Sequence, residues 1–192
     1  MKKDYGMVID QERCIGCEAC TVACKNENKG VQGYIRVMTQ DTSQKDTPAG
    51  TFPNLVMHFL PTLCNHCKQP PCAEACPLEA ISRSDSGIVV MAEELCDGCR
   101  TCLDACPYGA IDFNDEKNKA EKCNLCSHRI ETGLEPFCVV CCEGQAIYFG
   151  DLNDPDSSVV RILKSNENFC LKPDEGTGPA VYYLPPKTPR GL

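Results

Sequence analysis

The sequence predicts an α+β fold of short strands and short helices joined by long loops. The 192 residues include only six Phe, six Tyr and no Trp, so aromatic side chains cannot fill a large core. Eighteen residues are cysteine. This content, about a tenth of the chain, indicates that disulfides or metal sites hold the fold together. Few segments show the periodicity of a long amphipathic helix.

Composition and charge narrow the classes of partner. The formal net charge of −8 argues against a nucleic-acid partner and favours a protein docking face. The longest apolar run, residues 55–63, is interrupted by His58 and Pro61 and is too short to cross a membrane. The first residues contain no apolar signal region and no twin arginine, so we expect synthesis in reducing cytosol. There, a dense cysteine pattern indicates metal more readily than disulfides.

Sixteen cysteines form four groups, and each group ends in a C-x3-C pair. Group one is Cys14, Cys17, Cys20 and Cys24; group two is Cys64, Cys67, Cys72 and Cys76; group three is Cys96, Cys99, Cys102 and Cys106; group four is Cys123, Cys126, Cys138 and Cys142. An Ala-Ile pair follows groups two, three and four at one offset, as in Ala146-Ile147. This offset selects Cys142 over its neighbour Cys141 and leaves Cys141 and Cys170 as unligated thiols.

Short elements are expected between the groups. Residues 80–83 and 88–91 flank Asp85-Ser86-Gly87, which predicts a small hairpin. Residues 110–113 predict another short strand of a ferredoxin-type unit, and the polar residues 114–116 predict a turn after it.

Three further segments complete the chain. Residues 25–51 are rich in Lys, Asn, Gln, Thr and Gly and are expected to be a surface insertion. Residues 156–165 predict one helix, with Ser157 or Ser158 as its cap. The Pro- and Gly-rich end is expected to be an extended arm.

The cysteine spacing predicts iron-sulfur clusters. A C-x2-C-x2-C loop presents three thiolates to three corners of a cube, and the fourth ligand of each cluster comes from the other motif in two-cluster ferredoxins. Group three matches the full C-x2-C-x2-C-x3-C-P run through Pro107. Group one has Lys25 in place of this proline, group two widens one gap, and group four has a long gap and Glu143 after its last cysteine.

Two other uses of the cysteines are less favoured. Four tetrahedral zinc sites would also use sixteen thiolates, but the third close cysteine of each loop has no role in such a site. A catalytic radical cluster needs a three-cysteine motif that leaves one iron open, whereas each group here supplies four cysteines. The pattern therefore indicates electron transfer, and no catalytic residue is expected in this chain.

The chain resembles the iron-sulfur subunits of molybdopterin oxidoreductases of the dimethyl sulfoxide reductase family over nearly its whole length. The resemblance lies in the order of the four groups, the widened second group and the long fourth one. Supporting phrases are Met7-Val8-Ile9-Asp10, Pro61-Thr62-Leu63-Cys64-Asn65-His66-Cys67, Cys106-Pro107-Tyr108-Gly109, Lys122-Cys123 and Gly150-Asp151-Leu152-Asn153-Asp154-Pro155. The ending, with Gly176-Thr177-Gly178-Pro179 and Val181-Tyr182-Tyr183, looks most like the arsenate reductase, transhydroxylase and polysulfide reductase types.

The resemblance implies four [4Fe-4S] clusters with exchanged fourth ligands. The implied ligands are Cys14, Cys17, Cys20 and Cys142 for cluster one; Cys64, Cys67, Cys72 and Cys106 for cluster two; Cys96, Cys99, Cys102 and Cys76 for cluster three; and Cys123, Cys126, Cys138 and Cys24 for cluster four. Lys122, His128 and Arg129 are candidates for tuning cluster four, because positive charge near a cluster favours its reduced state. A solvated basic loop is the alternative for these three residues.

The resemblance also implies an organisation and partners. The outer ferredoxin-like module would comprise residues 1–63 and 114–170, the inner module residues 64–113, and the arm residues 171–192. The expected partners are a molybdopterin catalytic subunit containing Mo or W and a membrane anchor or soluble electron carrier. The protein would be cytoplasmic or exported folded with a signal-bearing partner. The alternative is a stand-alone polyferredoxin that serves several redox enzymes.

Overall fold

The computed structural model describes residues 2–29, 33–39 and 49–187. Mixed short strands and helices are present, as the sequence pattern and the family resemblance predict. The strands are β1 (Tyr5–Asp10), β2 (Arg36–Thr39), β3 (Ala49–Thr51), β4 (Asn54–Val56), β5 (Phe59–Thr62), β6 (Ile81–Arg83), β7 (Val89–Met91), β8 (Ile111–Asn114), β9 (Lys119–Lys122), β10 (Ile147–Asp151) and β11 (Val181–Leu184). The helices are α1 (Ala19–Asn28), α2 (Pro71–Glu74), α3 (Thr101–Ala105), α4 (Ser127–Ile130), α5 (Phe137–Val140) and α6 (Ser158–Ser165), with 3-10 turns at Glu93–Leu95 and Pro173–Glu175.

A three-stranded sheet joins the two ends of the chain. β1 lies in its centre, antiparallel to β10 and parallel to β11. Because side chains alternate along a strand, Met7 and Ile9 share a buried cluster with several cysteines, whereas Val8 packs with Val159 of α6. The sheet therefore separates α6 from the cysteine loops.

Two hairpins follow the second and third cysteine groups. β6 pairs with β7 in the predicted place, which confirms that hairpin, and β8 pairs with β9. Ile81, Val89, Ile111 and Ala120 form one buried cluster with two cysteines. Strand β9 lies beyond residue 113, the expected end of the inner module, but its Ala120 packs in the same cluster as β6 and β7.

The expected surface insertion at residues 25–51 is partly a core element. Residues 30–32 and 40–48 lie outside the described residues. In the described part, β2 pairs with β5, and Ile35 and Val37 are buried. Ile35, just before β2, and Val37 within it occupy alternate positions. They therefore face the core together, although the segment is polar on average.

The prediction of a helix near residues 156–165 is confirmed by α6, since Ser157 precedes it and accepts a hydrogen bond from the Val160 amide. The C-terminal arm differs from its expectation. Its residues 181–184 form β11 inside the sheet, and Val181 and Tyr183 are buried. The alternating apolar residues of this segment pack beside those of β1. Their burial favours a strand, although Pro and Gly residues precede it. No helix in the described ranges is both long and apolar enough to span a membrane.

Candidate metal centres

One backbone conformation recurs in all four cysteine loops. The residue before the second cysteine has a positive φ in each loop: Gly16 (69°), His66 (43°), Gly98 (82°) and Leu125 (53°). At Gly16 a side chain is also excluded by space, because a Cβ there would lie 2.4 Å from the Phe59 ring. Only two of the four positions are glycine, so this shared turn could not be recognised from residue types alone.

Three sets of four cysteines each line a small pocket. We name them by the expected cluster numbers. Set one is Cys14, Cys17, Cys20 and Cys142; set two is Cys64, Cys67, Cys72 and Cys106; set three is Cys76, Cys96, Cys99 and Cys102. Each set takes three cysteines from one sequence group and one from another, so the structure brings together residues as distant as Cys14 and Cys142.

The fourth set consists of Cys24, Cys123, Cys126 and Cys138, all of them buried. The Asn28 side-chain amide contacts the sulfurs of Cys24 (3.6 Å) and Cys126 (3.7 Å). Burial raises the pKa of Cys138 well above its usual value, and the nearby thiolates of Cys123, Cys126 and Cys24 raise it further. The four sulfurs therefore share one buried environment.

A repeated amide-to-sulfur hydrogen bond explains the Ala-Ile offset. The Ala80 amide donates to Cys76 Sγ (3.3 Å), and the Ala110 and Ala146 amides donate to Cys106 and Cys142 (3.5 and 3.2 Å). An N–H donor favours the thiolate form of its acceptor. The alanine at this offset therefore has a structural role in each repeat, since its backbone amide donates to the cysteine sulfur.

Group one has a different arrangement at the same offset, which was not predicted from the sequence. Helix α1 continues past Cys24, and the side chain of Asn28 contacts the Cys24 sulfur. The backbone amide donor to Cys24 Sγ comes from Tyr34 (3.3 Å). The position of Asn28, four residues after the last cysteine of its group, was the signal that could have identified it.

The donor chemistry fits iron-sulfur clusters. Burial raises the pKa of Cys20 to about 11 and that of Cys72 to about 12, so these thiols are protonated at neutral pH unless a metal replaces the proton. The amide donors described above stabilise the thiolate forms of four other cysteines, namely Cys24, Cys76, Cys106 and Cys142. In the described part of the chain, no group of three or more His, Cys, Asp or Glu side chains is arranged to hold a single metal ion.

The three tuning candidates lie in different surroundings. Lys122 is buried, and its Nζ donates to the carbonyls of Val89 and Cys123. His128 and Arg129 instead both contact Glu27, so they connect α4 to α1, and the charge of Arg129 is offset by a carboxylate.

The two remaining cysteines are placed apart from the three cavities. Cys141 follows the last residue of α5, and Cys170 is half-buried, which raises the pKa of its thiol. Neither lines one of the three cavities described above.

The four sets form a continuous series. Cys20 of set one is close enough to Cys138 of set four to raise the pKa of that thiol, after the larger effect of burial. Cys64 of set two acts in the same way on Cys123 of set four. Helix α2 contains Cys72 of set two and ends two residues before Cys76 of set three. Set four therefore adjoins sets one and two, since Cys20, Cys64, Cys123 and Cys138 share one buried cluster, and set two adjoins set three, since Cys72 shares another with Cys102.

Two family models match the chain. A 4Fe-4S dicluster domain matches residues 55–152, and a 4Fe-4S binding domain matches residues 5–26. A subunit of the tetrathionate reductase of Salmonella typhimurium is 42% identical over 94% of this chain and 72% of its own length. A component of the polysulfide reductase of Wolinella succinogenes is 37% identical over 97% of each sequence. The iron-sulfur subunit of a Shewanella arsenate respiratory reductase is 34% identical over 93% of this chain and 95% of its own.

Proposed function

We propose that this chain, which belongs to the family of iron-sulfur subunits of dimethyl sulfoxide reductase-type oxidoreductases, relays single electrons through four [4Fe-4S] clusters. Electron transfer by 4Fe-4S clusters is the function of the family; the count of four and the ligand sets are our proposal. The observation that carries it is the set of three cavities, each lined by four cysteines from two sequence groups.

Sets one to three would each hold one cluster in their cavity, and set four would hold the remaining one. Bound clusters supply one-electron oxidation and reduction without bond changes in a substrate. The protein residues hold the sulfurs, donate N–H groups to them and keep water from the inner sets. Because each set has four cysteines, none leaves an iron open for substrate, and catalysis belongs to a partner.

The exchange of fourth ligands supports two ferredoxin-like modules. Sets one and four exchange cysteines of groups one and four, which supports an outer module built from residues 1–63 and from the segment that begins at Cys123. Sets two and three exchange cysteines of groups two and three, which supports an inner module that begins at residue 64. This module extends past the expected residue 113 to the end of β9, because β9 pairs with β8 and its Ala120 packs with β6 and β7. We assign residues 181–184 to the outer module as well, since β11 pairs with β1.

The exposure of the cysteines supports two entry points to the relay. Cys17 of set one and Cys99 of set three are exposed, whereas sets two and four have no exposed member. Since electron tunnelling falls steeply with distance, partners would approach at sets one and three. Electrons would then pass through sets four and two between them, in either direction.

The relatives named above are components of tetrathionate, polysulfide and arsenate reductases. We propose that this chain likewise docks on a larger catalytic subunit carrying a molybdopterin, with Mo or W. Its second partner would be a membrane anchor or a soluble electron carrier.

The test is anaerobic purification of the native chain with its co-purifying proteins. The relay predicts about sixteen iron and sixteen sulfide per chain, interacting cluster signals in low-temperature electron paramagnetic resonance, and a pterin-bearing partner. Zinc, or iron well below this count, would contradict four clusters. A fully loaded chain that purifies alone and reduces several unrelated enzymes would instead support the polyferredoxin alternative.

A further inference from the structure

Lys122 is a buried cation without a carboxylate partner among the described residues. It is the last residue of β9 and is 6% exposed. Its Nζ donates to the carbonyl of Val89 and, at 2.7 Å, to that of Cys123. The ion pairs of the described ranges do not include it. A buried ammonium group is costly unless another charge balances it.

The ammonium group lies between two cysteine sets. Val89 lines the cavity of set two with Cys64 and Cys72, while Cys123 belongs to set four. Its two hydrogen bonds therefore place the charge of Lys122 beside sets two and four together.

The neighbouring basic side chains do not supply this charge. The Val89 amide donates to His66 Nδ1 at 3.0 Å, so Nδ1 carries no proton and the ring is neutral, with its proton on Nε2. Arg83 lies opposite Val89 in the β6–β7 hairpin. Arg83 is itself paired with Asp4, at 2.5 Å.

We propose that Lys122 is a shared counter-charge for the clusters of sets two and four and raises the reduction potentials of both, on the two sides of the electron step between the modules. The inference rests on the proposed function. A cluster with four thiolates is anionic, and reduction adds one more negative charge beside the ammonium group. The cation therefore favours reduction of both clusters, and its removal lowers both reduction potentials.

The experiment compares redox titrations of the wild-type complex with those of Lys122→Met and Lys122→Gln, followed by electron paramagnetic resonance. Iron content and circular dichroism are measured first. At fixed ambient potential, we expect the ratio of reduced to oxidised cluster to fall by about tenfold or more at two clusters, while the other two are unchanged. The Gln variant keeps a hydrogen-bond donor, so an equal shift in both variants identifies the charge as the cause.

Lys119→Met is the matched control. Lys119 lies on the same strand and donates to the carbonyl of Cys96, beside set three. Its loss is expected to leave the two clusters affected by Lys122 unchanged. Full iron content without a shift in either Lys122 variant, or an equal shift at all four clusters, would overturn the inference. A wild-type chain with fewer than four clusters would instead overturn the proposed function.

Discussion

The Tyr108 hydroxyl lies 2.6 Å from Oγ1 of Thr177 and ties the loop after Cys106 to the C-terminal segment. Thr177 is buried, and its hydroxyl lowers the pKa of the Cys67 thiol, against the larger raising effect of burial. The C-terminal segment thus takes part in the surroundings of set two.

Thr177→Val should lower the reduction potential of one cluster. The substitution keeps the side-chain shape and removes the hydroxyl that favours the Cys67 thiolate, an effect of about 1 kcal/mol, or roughly 40 mV for one electron. Redox titration of the holoprotein measures the shift. Thr132→Val is the control, since its exposed hydroxyl donates to the Arg129 carbonyl and is expected to change no potential. An unchanged potential in Thr177→Val would refute this role.

Cys141 and Cys142 provide a direct test of the ligand assignment. Cys142 lines the cavity of set one and accepts the Ala146 amide, whereas Cys141 does neither. Cys142→Ala should therefore lose or degrade one cluster, a loss of about four iron per chain, and Cys141→Ala should keep full iron content. Iron and sulfide analysis of both variants shows which of the two cysteines is the ligand. The reverse pattern would move the ligand to Cys141.

Asn28→Leu should lower the potential of the cluster of set four. The Asn28 amide contacts two sulfurs of this set at 3.6 and 3.7 Å, and leucine has a similar size without a donor. We expect a shift of roughly 40 mV, from about 1 kcal/mol of lost hydrogen bonding. Asn26 lies on the exposed side of the same helix, so Asn26→Leu is the matched control. Equal behaviour of the two variants would exclude a specific role for Asn28.

Tyr183→Phe should destabilise the folded chain. The buried Tyr183 hydroxyl donates to the Pro61 carbonyl at 3.0 Å, and its removal leaves that acceptor unpaired at a cost of about 1–3 kcal/mol. Thermal unfolding of the holoprotein, followed by circular dichroism, should show a lower midpoint. Tyr148→Phe, which removes a more exposed hydroxyl bonded to Arg13, should change it little. Equal midpoints for Tyr183→Phe and wild type would contradict the prediction.

Iron removal should unfold the chain and not only stop electron transfer. Each set joins distant segments, and without iron its thiols would be buried with no metal to bind. The free energy of cluster binding therefore also contributes to the free energy of folding. Anaerobic chelation should remove most of the far-ultraviolet circular dichroism together with the iron. A native spectrum after complete iron loss would show that the short strands and helices fold without clusters.

The sequence was sufficient to identify the chemistry because the relevant signals are local. Cysteine intervals, the Ala-Ile offset and the turn residues 85–87 act over a few residues, so the loops, the β6–β7 hairpin and helix α6 could be read directly. The choice of Cys142 over Cys141 also came from a local offset. The exchange of fourth ligands was inferred from the resemblance to a known family, because cysteine spacing alone does not determine which loops face each other.

Tertiary structure alone decided the contacts between distant segments. The pairing of β11 with β1, the burial of Ile35 and Val37, and the turn shared by His66 and Leu125 with two glycines depend on packing that no local pattern encodes. The same is true of Lys122. Its position before Cys123 is visible in the sequence, but its place between two cysteine sets depends on Val89, which is 33 residues away in sequence. Short-range spacing determines which atoms can bind a cluster, and long-range packing determines which charges surround it.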